Sequence, residues 1–266
     1  MQWFFADDHT PPVFTAEQHI KSKHITGAIH SLPEKAVLFC LGRGLPLLRE
    51  CFPTRLLAER LPGFITHSPA FAIEGREGLC FLDGGRGAPQ AACTVETLHA
   101  LGVKETLLVG LCGAFGEDIQ VGDVLLPEKI LVEEGSSLHY SAQPVYAQPD
   151  SLWAPDVLES QFSAQGLALK CRDTVTTDAV YRQTYHKEAL WREKGCVGVD
   201  MEASATVNIC HYFGMRCTVL LLASDKHPLT PNAPAWAWGN GDFGRQRDGF
   251  LATCIQLALA WPKALR

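Results

Sequence analysis

The sequence predicts a single-domain α/β/α sandwich built on a central mixed, largely parallel sheet. Three observations carry this expectation. Short runs such as "KAVLFCLG", "ETLLVGLCGAFG" and "RCTVLLLASD" are apolar on both faces, as strands buried between two layers must be. Amphipathic stretches with helical spacing alternate with them. The runs also end on glycines, arginines and carboxylates, and in open α/β sheets ligands gather at the carboxyl ends of the strands.

The elements follow in chain order. Residues 35–42 read as a buried strand ending on Gly42, and residues 78–85 ("GLCFLDGG") read the same way. In residues 89–102, Ala91, Val95, Leu98 and Leu101 recur at helical spacing, with Gly102 as the stop. Residues 105–116 form a strand running into a glycine-rich turn, and residues 121–135 ("VGDVLLPEKILVEEG") add one or two more strands. "CVGVDM" is a short strand followed by the helix "EASATVNICHYFG". Residues 216–225 form an almost wholly apolar strand, and "GFLATCIQLALAW" is a terminal helix. Residues 225–244 are rich in Pro, Gly and Asn and long for a loop, which fits a lid or a surface excursion.

Composition narrows the function. The 266 residues are 47% hydrophobic and 20% charged, an ordinary globular balance without repeats or a linker. A net charge of −6 argues against nucleic acid or an anionic membrane as a partner, since phosphate backbones need clustered Lys and Arg. The ten cysteines form no C-x-x-C pair, and several lie in apolar runs. That usage points to reduced thiols in a cytoplasmic protein, with no metal site. The first residues, "MQWFFADDHTPP", lack the basic region of a signal peptide, and no stretch reaches the length of a membrane span.

Two strand ends carry the candidate chemistry. "VGVDMEASA" puts Asp200 and Glu202 on either side of Met201 after an apolar run. By itself this could be a helix start, with Asp200 as N-cap and Glu202 in the first turn. "LLASDKH" ends another strand on Ser224 and Asp225.

Together with "GGRGAPQAACTVETLHALGVKETLLVGLCGAFG", "IQVGDVLLP" and "EEGSSLHYSAQPVYAQPD", these stretches resemble the nucleoside phosphorylase family, which includes uridine phosphorylase and the hexameric purine nucleoside phosphorylases. The nucleosidases of methylthioadenosine share its fold. The resemblance implies residues 1–22 as an N-terminal extension and 23–266 as the catalytic domain. It also implies cleavage of an N-glycosidic bond, by phosphate to give ribose 1-phosphate and free base, with no cofactor beyond phosphate as co-substrate. A nucleosidase using water, a uridine phosphorylase and a non-catalytic nucleoside-binding protein remain as alternatives.

The resemblance assigns roles. Asp200, Met201 and Glu202 would lie over the ribose, with the Glu202 carboxylate accepting from both vicinal hydroxyls and favouring an oxocarbenium-like sugar. Asp225 matches the residue that protonates a departing purine, and Arg247, or Arg245 nearby, the arginine that pairs with it. Asp225 as a cap with Arg247 on the surface is the competing reading. His24 matches a histidine that crosses to a neighbouring subunit and touches the 5′-hydroxyl, implying a homo-oligomer, a dimer or a hexamer. Tyr181 and Gln183 fall where the base is read. The phosphate pattern departs from the family: Pro46 and Leu108 stand where it has arginines, and Leu111 where it has a hydroxyl residue. Gly42, Arg43, Arg86 and Gly110 are the replacement candidates for an anion site.

Overall fold

A computed structural model describes residues 3–22, 31–61, 68–142 and 144–262. After a short helix α1 (Ala16–Ile20), the first half runs β1 (Lys35–Phe39), α2 (Gly44–Cys51), β2 (Thr54–Ala58), β3 (Ala70–Ile73), β4 (Leu79–Asp83), α3 (Ala88–Ala100) and β5 (Glu105–Ala114). Short strands β6 (Val124–Leu125), β7 (Ile130–Glu133) and β8 (Tyr146–Ala147) follow, then α4 (Pro155–Ser163), β9 (Leu169–Lys170), β10 (Thr174–Thr177) and α5 (Tyr185–Glu193). The chain continues through β11 (Gly198–Asp200), α6 (Ala203–Tyr212), β12 (Arg216–Lys226), β13 (Ala237–Trp238) and α7 (Phe243–Leu259).

The strands form one mixed sheet in the order β2-β3-β4-β1-β5-β11-β10-β7-β8, with β12 also lying against β5. Pairing is parallel at the centre, where β5 is flanked by β1 and β12, and again across β11, β10 and β7. It is antiparallel at the β2–β3–β4 edge and at the β5–β11 seam. Strand alternation sorts the core into two layers. From β1 and the two residues after it, Ala36, Leu38 and Cys40 join one cluster with Val95 and Leu98 of α3 and Val207 and Ile209 of α6. Val37, Phe39 and Leu41 join the other with Leu48 of α2, Phe162 of α4 and Phe250 and Ile255 of α7. This is the sandwich expected from runs apolar on both faces.

Several elements exceed that expectation, among them α1, α4, α5 and the strands β8, β9 and β10. Helix α2 and the hairpin β2–β3 lie where no element is read from the sequence. Residues 225–244 also contain a strand, because β13 folds back antiparallel onto Asp225 and Lys226. Within residues 3–22, Ile20 packs on the core and Trp3 stacks on His139.

Candidate active site

The strand ends of β1, β4, β5, β11 and β12 converge on a cavity of about 920 Å³. Gly42, Arg86, Asp200, Met201, Glu202 and Asp225 all line it, with Tyr181, Gln183, Trp236 and Trp238 at its mouth.

Asp200 and Glu202 are almost fully buried and held in different ways. Asp200 Oδ1 accepts from the Thr176 hydroxyl at 2.6 Å, and Oδ2 accepts from the backbone N–H groups of Glu202 and Ala203 at 2.8 and 2.6 Å. Asp200 therefore holds the first backbone N–H groups of α6 from two residues ahead of the N-cap position, which Glu202, not Asp200, occupies. Glu202 instead crosses to another helix: its Oε1 accepts from Gly87 N at 2.5 Å, at the N-terminus of α3. Gly87 turns into that helix at φ +81°, a conformation that disfavours side chains. The dipole of α3 thus faces the Glu202 carboxylate. Burial nevertheless pushes both carboxyls upward, Glu202 to about 7, with the charge of Asp200 as its second cause.

Asp225 sits where β12 departs from regular pairing, since Ala223 opposes Cys112 and Asp225 opposes Gly113. The irregularity at Ser224 re-aims the carboxylate into the cavity, a common use of bulges. Three groups surround it: the Ser224 hydroxyl at 2.6 Å, Trp236 Nε1 at 2.7 Å and His227 Nε2 at 3.2 Å. Burial pushes the Asp225 carboxyl up, but these donors outweigh it and hold the group below the usual carboxylate range. A raised value does not follow from the apolar strand alone, because the donors stabilise the anion.

His227 was not singled out from the sequence. Its Nδ1 lies 2.8 Å from Glu188 Oε1 of α5, so the ring bridges two buried carboxylates. Burial opposes its charge, yet the two partners push the imidazole up to about 9. The "SDKH" spacing offers one clue, placing Asp225 and His227 on one side of an extended chain. Glu188 carries no comparable signal. It reaches the ring because Thr184 caps α5 and Trp191 anchors that helix, donating from Nε1 to Glu133 at 2.7 Å.

Several expected residues lie elsewhere. Arg247 does not meet Asp225; its Nε and Nη2 bind the adjacent Asp248 at 3.0 and 2.9 Å. Arg43 is drawn to the same carboxylate and to Glu50, which it meets in two bonds of 2.6 Å, and so does not line the cavity. Each guanidinium is thus taken up by carboxylates outside the cavity. Gly110 lies inside β5, where its missing side chain lets Leu221 and Cys40 close in. His24 lies outside the described residues. Arg86 does line the cavity, with its fork on Asp83 at 2.9 and 3.3 Å and on Gly85 O at 2.6 Å. Leu108 is buried in the core, while Leu111 faces the cavity.

Residues 63–256 match the family described as the phosphorylase superfamily. The chain belongs to that superfamily. Among its relatives is a guanosine phosphorylase of Halorubrum lacusprofundi, 30% identical over 142 residues, or 51% of this chain and 57% of the relative. The chain thus spans little more than half the length of that protein. Two solved structures share the superfamily fold. A purine nucleoside phosphorylase of Toxoplasma gondii in complex with immucillin-H has a TM-score of 0.69 at 16% identity, covering 87% of this chain and 92% of that one. A uridine phosphorylase of Vibrio fischeri has a TM-score of 0.67 at 19% identity, covering 94% and 98%.

Proposed function

We propose that this phosphorylase-superfamily chain cleaves the N-glycosidic bond of a purine nucleoside with phosphate, giving ribose 1-phosphate and the free base. The observation that carries the reading is that Glu202 and Asp225 line one cavity, an acceptor-only carboxylate for the ribose and a second carboxylate for the base. The guanosine phosphorylase among its relatives supports a purine substrate.

In this reading Glu202 binds the 2′- and 3′-hydroxyls, and its charge stabilises the sugar as the C–N electron pair moves onto the base. Asp200 keeps Glu202 in place by fixing the start of α6, and Met201 presents an apolar surface to the sugar. Tyr181 and Trp236 flank the base, and Gln183 bonds its edge. Phosphate approaches from the side of Gly42 and Arg86. The enzyme is cytoplasmic, in keeping with ten free cysteines, requires no cofactor, and works as a homo-oligomer in which His24 serves a neighbouring site. Residues 1–22 form an extension to the catalytic domain of residues 23–266.

One observation favours a second reading, hydrolysis. Among the described residues, Arg86 is the one arginine in the cavity lining, and it is already bound to Asp83. The deciding experiment is a base-release assay with inosine, guanosine, adenosine, uridine and methylthioadenosine, with and without phosphate. Phosphate-dependent release of a purine is the expected result. Release indifferent to phosphate replaces the phosphorylase with a nucleosidase, and no release from any nucleoside overturns both.

A further inference from the structure

A leaving purine must gain a proton, yet Asp225 is surrounded by groups that donate to it. Its Oδ1 faces the Ser224 hydroxyl, and its Oδ2 faces both Trp236 Nε1 and His227 Nε2. An ionised carboxylate accepts all three bonds, whereas a protonated one must give up an acceptor position. Asp225 is therefore built to rest as an anion, and its proton has to come from a neighbour.

His227 stands between Asp225 Oδ2 at 3.2 Å and Glu188 Oε1 at 2.8 Å, with one ring nitrogen on each. Both carboxylates are almost fully buried, and the imidazole side chain is 15% exposed at the cavity wall. A ring flanked by two carboxylates can satisfy both only by donating from both nitrogens, which is the imidazolium form. Its seat is specific. A methyl group on Gly113 would lie 2.9 Å from Cε1 of the ring and closer still to Nε2, so the bare backbone of β5 leaves the space the imidazole fills. Arg247, the group first expected beside Asp225, binds Asp248 instead.

We propose that Glu188, His227 and Asp225 form a proton relay in which the His227 imidazolium is the resting reservoir for the proton that Asp225 delivers to the leaving base. This rests on the glycosidic-cleavage reading above. As the C–N bond breaks, its electron pair passes to the base, and a base ring nitrogen takes a proton from Asp225. Asp225, an anion at rest, receives that proton from His227 Nε2 in the same step, and His227 becomes a neutral imidazole with Nδ1–H on Glu188. Solvent at the cavity mouth then returns the proton to Nε2 after the base departs. His227 and Glu188 act through Asp225 and are positioning residues in this scheme.

The test compares E188Q and H227Q with the parent protein on inosine and on 7-methylinosine. The methylated purine leaves without needing a proton at N7. Each variant should lose about 100-fold in kcat on inosine, the lower end of the range for one general-acid contribution. KM should change little, and the loss on 7-methylinosine should be at least about tenfold smaller. Equal losses on both substrates overturn the relay and leave His227 a structural residue.

A second measurement does not depend on turnover. Nitrogen NMR of the His227 ring at about pH 8, above the ordinary histidine range, should show both nitrogens protonated in the parent. It should show one protonated in E188Q. A neutral ring in the parent overturns the relay whatever the activity. A protonated ring in a parent that cleaves no nucleoside overturns the functional reading and leaves the charged triad standing.

Discussion

Replacing Glu202 by Gln should stabilise the protein while destroying its activity. Glu202 is 6% exposed, and burial pushes its carboxyl from 4.5 to about 7 even though Gly87 N–H and the α3 dipole face it. A shift of that size corresponds to about 3 kcal/mol of unfavourable ionisation in the folded state. The sign follows from linkage: between the unfolded and folded values the folded protein binds more protons. Stability therefore falls as pH rises through that window and levels off above about 7. Gln keeps an oxygen for Gly87 N–H and has no charge to bury. Its amide hydrogens need acceptors, and an unmet one costs about 1–3 kcal/mol. The net expectation is a gain of about 1–2 kcal/mol near pH 8 that disappears near pH 5. The assay is denaturant unfolding of both proteins across that range at one protein concentration, beside kcat/KM on the preferred nucleoside, which should fall at least about 10²-fold. A variant less stable than the parent near pH 8, or a difference that does not change with pH, would refute the argument that Glu202 is held ionised against its surroundings.

Three further outcomes are expected. G113A should force His227 out of its seat, costing about 1–3 kcal/mol by thermal unfolding and lowering kcat on inosine more than on 7-methylinosine; an unchanged Tm would mean the ring has room to spare. W236F keeps an aromatic surface at the cavity mouth but removes the donor 2.7 Å from Asp225. It should cost about 1 kcal/mol near neutral pH. Because Asp225 lies below its ordinary value, the stability it contributes is lost as pH falls, and W236F should show less of that acid-linked loss; identical acid unfolding profiles would speak against the contact. R86Q should raise the KM for phosphate about tenfold or more with little effect on that for nucleoside, and an unchanged phosphate KM would remove Arg86 from the anion site.

Much of this protein follows from local pattern. Strands β1, β4, β5 and β12 are covered on both faces, so their apolar runs announce them without knowledge of their neighbours. The glycines and carboxylates at their ends mark the cavity for the same reason, because a polar residue after a buried strand has few other places to go. Asp200, Met201, Glu202 and Asp225 could be named from the chain, and the fold brings them to one cavity. Helix α2 was not legible: its eight residues open on Gly44 and carry Pro46, both poor helix formers.

Charge partners are a different matter. Arg43 looks like an anion ligand in the sequence and Arg247 like the partner of Asp225, yet Arg43 turns to Glu50 and Asp248 and Arg247 to Asp248, because a long flexible cation takes the carboxylates near it in three dimensions. The pairing of His227 with Glu188 joins residues 39 positions apart and depends on Trp191 docking α5 and on Gly113 leaving room for the ring. Burial patterns are short-ranged and repeat along an element, so the sequence by itself determined the layers and the place of the cavity. Electrostatic partnership depends on distances between elements, so only the tertiary structure decided which groups hold a charge, which carry a proton and which merely neutralise one another.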